Sequence, residues 1–362
     1  ILIIMEETHD TPSQVDQANL QVSSRSIPYI KYNRSNYSSP LISADYVSKK
    51  GILFNADVLD LLTNIKKETI DLAFADPPFN LGKNYEVAEL NDSMAAEAYR
   101  GWCRTWLLEI ARVLKPGGAL FLYHWPLWLM DLGAWLNSLP LLEYKSWIAL
   151  KMKNGFPIKG RIQPAHYGLL YYVKVGGKPT FNVVRSKSPT CRHCGELIRD
   201  YGGYRKKFEQ YEDEDGVPWI ALSDFWEDTR PERHYKAREN KINELPMHVP
   251  ERAILMASNP GDVVLDCFAG GGSTLHAAHY HDRLWIGGEI GDTSMILRRI
   301  NTFFGSEETK PSTHLLKCFH KRFRTAISKL DLNQERPIEK AGRMESIPKS
   351  MDKYASKSKI MP

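Results

Sequence analysis

An acid, two prolines and an aromatic ring, Asp76-Pro77-Pro78-Phe79, follow directly on the apolar run Leu72-Ala73-Phe74-Ala75. The run reads as a short buried strand. Asp76 then sits at a strand's C-terminal end, where open α/β sheets carry their chemistry. Two prolines fix two φ angles and remove two N–H donors. The carbonyls of Asp76 and Pro77 are left to accept hydrogen bonds from some other group. Acid, carbonyl and ring make a rigid acceptor cluster, although a plain Pro-Pro turn after a strand would show the same four residues.

A second constellation lies far downstream. The run "VVLDCFAGGGST" (263–274) reads as a strand ending on Asp266, then Phe268, three glycines (Gly270, Gly271, Gly272) and a helix start. Glycines there let a ligand approach the backbone, and the helix N-terminus presents free N–H groups. Glu289 follows Asp266 by 23 residues, at the end of the next apolar run. A carboxylate about 20 residues on is placed to bind the hydroxyls of a ribose. Glycines and acid together point to a nucleoside-containing cofactor. The spacing departs from G-x-G-x-x-G, which counts against NAD or FAD.

The elements that must position these residues alternate. From 51 to 175, strands at 52–55, 70–75, 119–123, 145–151 and 167–174 are interleaved with helical runs at 57–65, 94–115 and 126–139, and Pro116-Gly117-Gly118 reads as a turn. After 245 the pattern returns, with strands at 263–266 and 284–288 and helices at 244–258, 272–281 and 292–304. That order predicts βαβ units and a mainly parallel, Rossmann-like α/β sheet of seven strands. Residues 176–245 differ: rich in Lys, Arg, Tyr and Gly, they read as an irregular basic insertion. Residues 1–50 read as a flexible polar arm. Residues 321–362, with eleven Lys and Arg against five Asp and Glu, read as a basic, disordered tail.

The 362 residues carry a net charge of +5, a mild basic bias compatible with a polyanionic partner. No apolar run approaches the roughly 20 residues that span a bilayer. "ILIIM" is followed at once by Glu6 and Glu7, unlike a signal peptide. Five cysteines, an odd and low count, favour reduced thiols and a cytoplasmic location. Cys191 and Cys194 in "CRHCG" have zinc-knuckle spacing, but a site needs four ligands. His193, His166 and His234 are unsupported partners, so two reduced thiols in a turn are expected and no metal.

The motifs in this order resemble the amino-methylating DNA methyltransferases of the N6-adenine/N4-cytosine family, in their circularly permuted β group. The resemblance runs over roughly 51–320 and rests on "DPPF", "VLKPGG", "HYGLLYYVK", "NELPMHVPERAILMAS", "DCFAGGGST" and "IGGEI". Cys267 stands where the family usually has proline, and three successive glycines where Gly-Ser-Gly is commoner. The resemblance implies a catalytic half at 51–175, a DNA target-recognition region at 176–245 and an S-adenosyl-L-methionine half at 246–320. It implies that Asp266, Phe268, Gly270, Gly272, Glu289, Asp57 and Asn243 serve the cofactor, with Asp57 accepting from its adenine amine. Asp57 as a helix N-cap is the equal alternative.

By the same resemblance, Asp76 and the Pro77 carbonyl grip the two hydrogens of a nucleobase amine and free its delocalised lone pair. Phe79 stacks on the base, which must be flipped out of double-stranded DNA. An acid at position 76 goes with N6 of adenine, and N4 of cytosine is the alternative. Arg205, Lys206, Lys207, Arg230, Arg233, Lys236 and Arg238 are candidate DNA contacts or solvated charges, and Trp226 reads as packed. A homodimer and a cognate restriction endonuclease are compatible with the family, but no residue here reads on either.

Overall fold

The computed structural model describes residues 42–80, 94–151, 159–160, 162, 164–188, 191, 193–196, 219–227, 245–304, 310–321 and 324. Its centre is a nine-stranded sheet in which strands distant in the chain lie side by side. The strands are β1 (Ala44–Val47), β2 (Gly51–Asn55), β3 (Ile70–Ala75), β4 (Leu114–His124), β5 (Leu142–Lys151), β6 (His166–Lys174), β9 (Phe225–Trp226), β10 (Val263–Asp266) and β11 (Leu284–Glu289). Their order is β1-β2-β11-β10-β3-β4-β6-β5-β9. β2, β11, β10, β3 and β4 run parallel, and β6 is antiparallel to both its neighbours. The small strands β7 (Arg185–Lys187) and β8 (Trp219–Ala221) form a separate antiparallel pair.

The seven expected strands make up the body of the sheet, and two more flank it. β1 pairs with β2 at one edge, so 44–47, read from sequence as part of a loose arm, belong to the fold. The strand is four residues long and polar at Asp45, too short for its alternation to register against a polar background. At the other edge β9 pairs with β5. The "PGG" after "VLK" is no simple helix-ending turn. β4 begins at Leu114, and its register against β3 shifts between Ile70–Leu114 and Leu72–Ala119. Gly117 absorbs this at φ +84°, where a Cβ would lie 2.5 Å from the Lys178 carbonyl oxygen.

Helices cover both faces, as a parallel sheet requires. α1 (Val58–Asn64), α2 (Ala96–Val113) and α3 (Pro126–Asn137) pack on one face, and α4 (His248–Ala257), α5 (Ser273–Tyr280) and α6 (Ser294–Phe304) on the other. A short α7 (Thr313–Lys317) brings Leu315 and Phe319 to the first face. α2 buries Tyr99, Cys103, Trp106, Leu107, Ile110 and Val113, a stripe at helical spacing. Truncating fully buried Leu107 to alanine would cost about 2–5 kcal/mol. Asp71, at the entry of β3, accepts from the Val263 N–H (2.9 Å) and from Lys115 Nζ (2.7 Å). The first bond ties β10 to β3 across 192 positions of sequence, and the second ties β4 to β3.

The described parts of the insertion lean on the sheet. The Asn182 side chain donates to the Leu255 and Ser258 carbonyls (2.9 and 3.0 Å) at the end of α4. Trp226 is buried, its indole N–H donates to the Ser223 carbonyl (2.8 Å), and the Arg252 guanidinium lies 5.2 Å from its ring. It is packed, as its context predicts. The other basic candidates, Arg205, Lys206, Lys207, Arg230, Arg233, Lys236 and Arg238, lie outside the described residues. So does the tail beyond Arg324, whose N–H closes a turn on the His320 carbonyl (3.0 Å).

Candidate active site at the carboxyl edge of the sheet

The strand order reverses at β10 and β3: the chain leaves β10 for β11 on one side and β3 for β4 on the other. Such a switch point opens a crevice at the carboxyl ends of the strands. In register, Asp266 lies beside Phe74 and Gly287, and Glu289 beside Asn55. The ends of β2, β11, β10, β3 and β4 therefore deliver Asp57, Glu289, the 266–272 loop, Asp76–Phe79 and His124 to one edge. Two motifs at opposite ends of the sequence become one site.

The glycine loop is shaped from within. Asp266 is buried, accepts from the Phe268 N–H (2.9 Å) and is also bonded by the Thr274 side chain. Gly270 (φ +51°) donates its N–H to Glu289 Oε2 at 2.6 Å. A Cβ on Gly270 would meet only the Phe268 carbonyl, at 3.9 Å, so space opens beside this bare backbone. Gly272 (φ +78°) begins α5, and there a Cβ would press on Ile296 at 3.0 Å. The Phe268 ring turns toward α2, 5.0 Å from Trp106 and 5.8 Å from Trp102. Asp57 accepts from the Leu59 N–H (2.8 Å) as the N-cap of α1. The structure thus shows its capping role, beside the strand end that carries Glu289. Asn243 lies outside the described residues.

Three carboxylates converge. Asp76 keeps part of its surface open at the edge, yet protein crowds its carboxylate. Burial raises its pKa well above the usual range, and the charges of Asp266 and Glu289 add to the rise. Burial likewise lifts Asp266 to about 6 and Glu289 to about 7. Desolvation disfavours the charged form of each acid, and like charges nearby compound it. An acceptor-rich, electron-rich edge of this kind suits a ligand that brings N–H and O–H donors or positive charge.

Around Asp76 stands a wall of rings. Phe79 stacks on His124 at 4.8 Å and 21°, with Tyr123 and Tyr167 each 5.7 Å from it. Tyr167 also meets Trp125 edge-on at 5.7 Å. Tyr123, His124, Tyr167 and Tyr99 were not singled out from the sequence. A signal existed for two of them: Tyr123 and His124 end "ALFLYH", and strand ends on a parallel sheet's carboxyl edge are where chemistry gathers. Tyr99 sits mid-helix in an apolar stripe and carries no such mark.

The cysteines stand apart from this site. All five are free thiols, with Cys103, Cys267 and Cys318 buried. Cys191 closes a turn by donating its N–H to the Glu196 carbonyl (2.7 Å) and accepting from the Gly195 N–H (2.9 Å). Backbone N–H groups of Cys194 and His193 lower the Cys191 thiol pKa. Among the described residues no three His, Cys, Asp or Glu side chains group to hold a metal. Nor is any described helix long and apolar enough to cross a membrane.

A twisted sheet with helices on both faces and an acid-lined crevice at its switch point is the Rossmann-like sheet of the S-adenosylmethionine-dependent methyltransferases. The solved PvuII DNA methyltransferase (cytosine-N4-specific) shares the fold with a TM-score of 0.50 at 16% identity, over 78% of this chain and 92% of that one. The N6/N4 DNA methylase family model matches residues 70–295, and the chain belongs to this family. It is 42% identical to the type II methyltransferase M.BamHI of Bacillus amyloliquefaciens over 272 residues, 75% of this chain but 62% of that protein. It is 31% identical to the DNA adenine methyltransferase YhdJ of Escherichia coli over 279 residues, 71% of this chain and 85% of that one.

S-adenosyl-L-methionine is the methyl donor of this family, and the edge fits it. Open space over Gly270 gives its backbone room against a ligand, and Glu289 and Asp57 bring carboxylate oxygens, each already accepting one backbone N–H, to the same edge.

Proposed function

We propose that this protein methylates the exocyclic amine of a base flipped out of double-stranded DNA, and that the amine is N6 of adenine. The observation that carries the reading is the meeting of the "DPPF" loop and the glycine loop at one edge, with a stacking wall beside Asp76. S-adenosylmethionine, when bound, supplies an electrophilic methyl group on sulfur. Asp76 and the Pro77 carbonyl accept the two amine hydrogens. With its hydrogens held out of the ring plane, the nitrogen regains a directed lone pair. Phe79, backed by His124 and flanked by Tyr123 and Tyr167, gives the flipped base a face to stack on. Positioning of this kind supplies most of the rate. Asp266 and Gly272 shape the cofactor loop, Glu289 takes the ribose hydroxyls, and Asp57 adds an acceptor for the adenine amine. Residues 176–245 read the target sequence, a homodimer and a cognate endonuclease are further partners to test, and the protein works in the cytoplasm.

Adenine is favoured by the acid at position 76, which in this family goes mostly with N6-adenine. YhdJ, similar to this chain, bears adenine in its name. The test is direct. Duplex DNA incubated with the protein and methyl-labelled cofactor is digested to nucleosides. N6-methyl-2′-deoxyadenosine is the expected product; N4-methyl-2′-deoxycytidine transfers the site to the other base, and no labelled nucleoside sinks the reading. Exchanging 176–245 for the same region of a relative should move the methylated sequence while cofactor affinity holds.

A further inference from the structure

The rigidity of the "DPPF" loop does not come from its prolines alone. Tyr99 on α2 and His124 at the end of β4 are both buried and touch at 2.6 Å, Tyr Oη to His Nε2. Tyr99 Oη also lies 2.5 Å from the Pro78 carbonyl oxygen. His124 Nδ1 accepts from the Trp125 N–H at 2.7 Å. These contacts admit one direction of donation. Nδ1 is an acceptor, so a neutral ring carries its proton on Nε2 and donates it to Tyr99 Oη. The tyrosine O–H is then committed to the Pro78 carbonyl.

We propose that Trp125, His124 and Tyr99 form a one-way hydrogen-bond relay, with His124 and Tyr99 the positioning residues that set the base clamp. The relay fixes the Pro78 peptide, and with it the carbonyl of Pro77 and the ring of Phe79 on either side. His124 acts twice, because its ring is also the surface on which Phe79 stacks. A second tie holds the loop's far end. Asn80, in the left-handed region at φ 54°, bonds the Met94 backbone through both ends of its amide (2.9 and 2.7 Å). The prolines remove local donors, and α2 and β4 supply the donor that the loop lacks.

Burial holds the His124 pKa near 3, so the ring stays neutral and the relay keeps its direction over the whole physiological range. A protonated ring could not accept from Trp125. Its titration is therefore no part of the reaction, and neither residue touches the reacting atoms.

The inference rests on the function proposed above, and the test separates the two. Tyr99→Phe removes both hydrogen bonds of the hydroxyl, to His124 and to the Pro78 carbonyl, and keeps the ring. It should slow single-turnover methyl transfer roughly tenfold and lower the melting midpoint through the two stranded partners, with cofactor affinity by calorimetry and KM for DNA unchanged. His124→Phe keeps a ring beneath Phe79 and loses the donor, and should match that loss in rate. His124→Gln keeps a donor where Nε2 was and loses the ring, so it should transfer faster than His124→Phe while capturing 2-aminopurine at the target less well.

Nitrogen NMR of labelled histidine, assigned by difference against His124→Gln, should show the Nε2–H tautomer of His124 unchanged between about pH 5 and pH 8. An Nδ1–H tautomer overturns the relay. So does a wild-type rate in Tyr99→Phe, or a rate loss matched by an equal loss in cofactor affinity. If the unmodified protein binds cofactor and leaves DNA unmethylated, the functional reading fails, and the tautomer still decides the relay.

Discussion

The two loops at the switch point solve opposite problems. The 266–272 loop is backbone with side chains removed: Gly270 and Gly272 adopt positive φ, and the carboxylates of Asp266 and Glu289 hold its N–H groups. The 76–80 loop is backbone with freedom removed: two prolines, a tyrosine on Pro78, and Asn80 pinned to Met94. One loop lets a ligand come close. The other holds its acceptors in fixed directions. A cofactor site gains from contact area, whereas a site for an activated amine gains from fixed direction. Substitutions in the two loops should therefore fail differently.

The largest effect belongs to Asp76. Asp76→Ala should lower single-turnover transfer by about a hundredfold to a thousandfold, the scale on which a lost preorganised transition-state partner is felt. Cofactor affinity should hold, because Asp266 and Glu289, which line the glycine loop, are untouched. Equal losses in binding and rate would erase the contrast between the loops.

Phe79 comes next. Phe79→Ala should weaken capture of the flipped base by about 1–3 kcal/mol, and Phe79→Trp should retain most of it. Fluorescence of 2-aminopurine at the target position reads this directly. Alanine with undiminished capture would mean that the stacking face lies elsewhere.

Gly272→Ala tests the other loop. A side chain at φ +78° costs about 1–2 kcal/mol, and its Cβ must displace Ile296 from 3.0 Å. The expected outcome is a lower melting midpoint and weaker cofactor binding, with the transfer rate of the saturated complex little changed. A variant that binds cofactor normally but transfers slowly would place Gly272 with the clamp.

The smallest effect is at Glu289, and its sign depends on pH. Its pKa is raised from 4.5 to about 7, chiefly by burial. The folded, ligand-free protein therefore binds this proton more readily than the unfolded chain, and loses stability as pH rises through that window. Glu289→Gln abolishes the loss, so its melting midpoint relative to the unmodified protein should climb between about pH 5 and pH 8. Cofactor affinity should move the other way. The ionised carboxylate is the better acceptor for ribose hydroxyls, so binding tightens up to about 7 and expels a proton. Glu289→Gln should flatten that rise and, like Glu289→Ala, weaken binding by at least about 1 kcal/mol at neutral pH. A pH-independent affinity in the unmodified protein would remove Glu289 from the ribose.

The seven strands of the sheet's body and the helices between them were legible because apolar periodicity survives wherever a segment is buried on one or both faces. "VVLD" is buried at every position, and such a run can hardly be anything but an inner strand of a parallel sheet. The edges were not legible. β1 is partly polar and β9 two residues long, and each is a strand only because a neighbour offers it hydrogen bonds.

The same division runs through the site. The groups themselves were legible in the chain: an acid after a strand with two prolines and a ring, glycines before a helix, and a second acid one strand on. Each follows from local backbone rules, since φ restriction and the need for bare N–H groups act within a few residues. Only the tertiary structure decided that Asp57 caps α1, that Phe268 turns toward α2, and that Tyr99 and His124 hold the Pro78 carbonyl. Those assignments depend on donors and acceptors brought together from separate helices and strands. A hydrogen bond needs about 3 Å between its atoms, and no spacing along the chain encodes a distance across the fold.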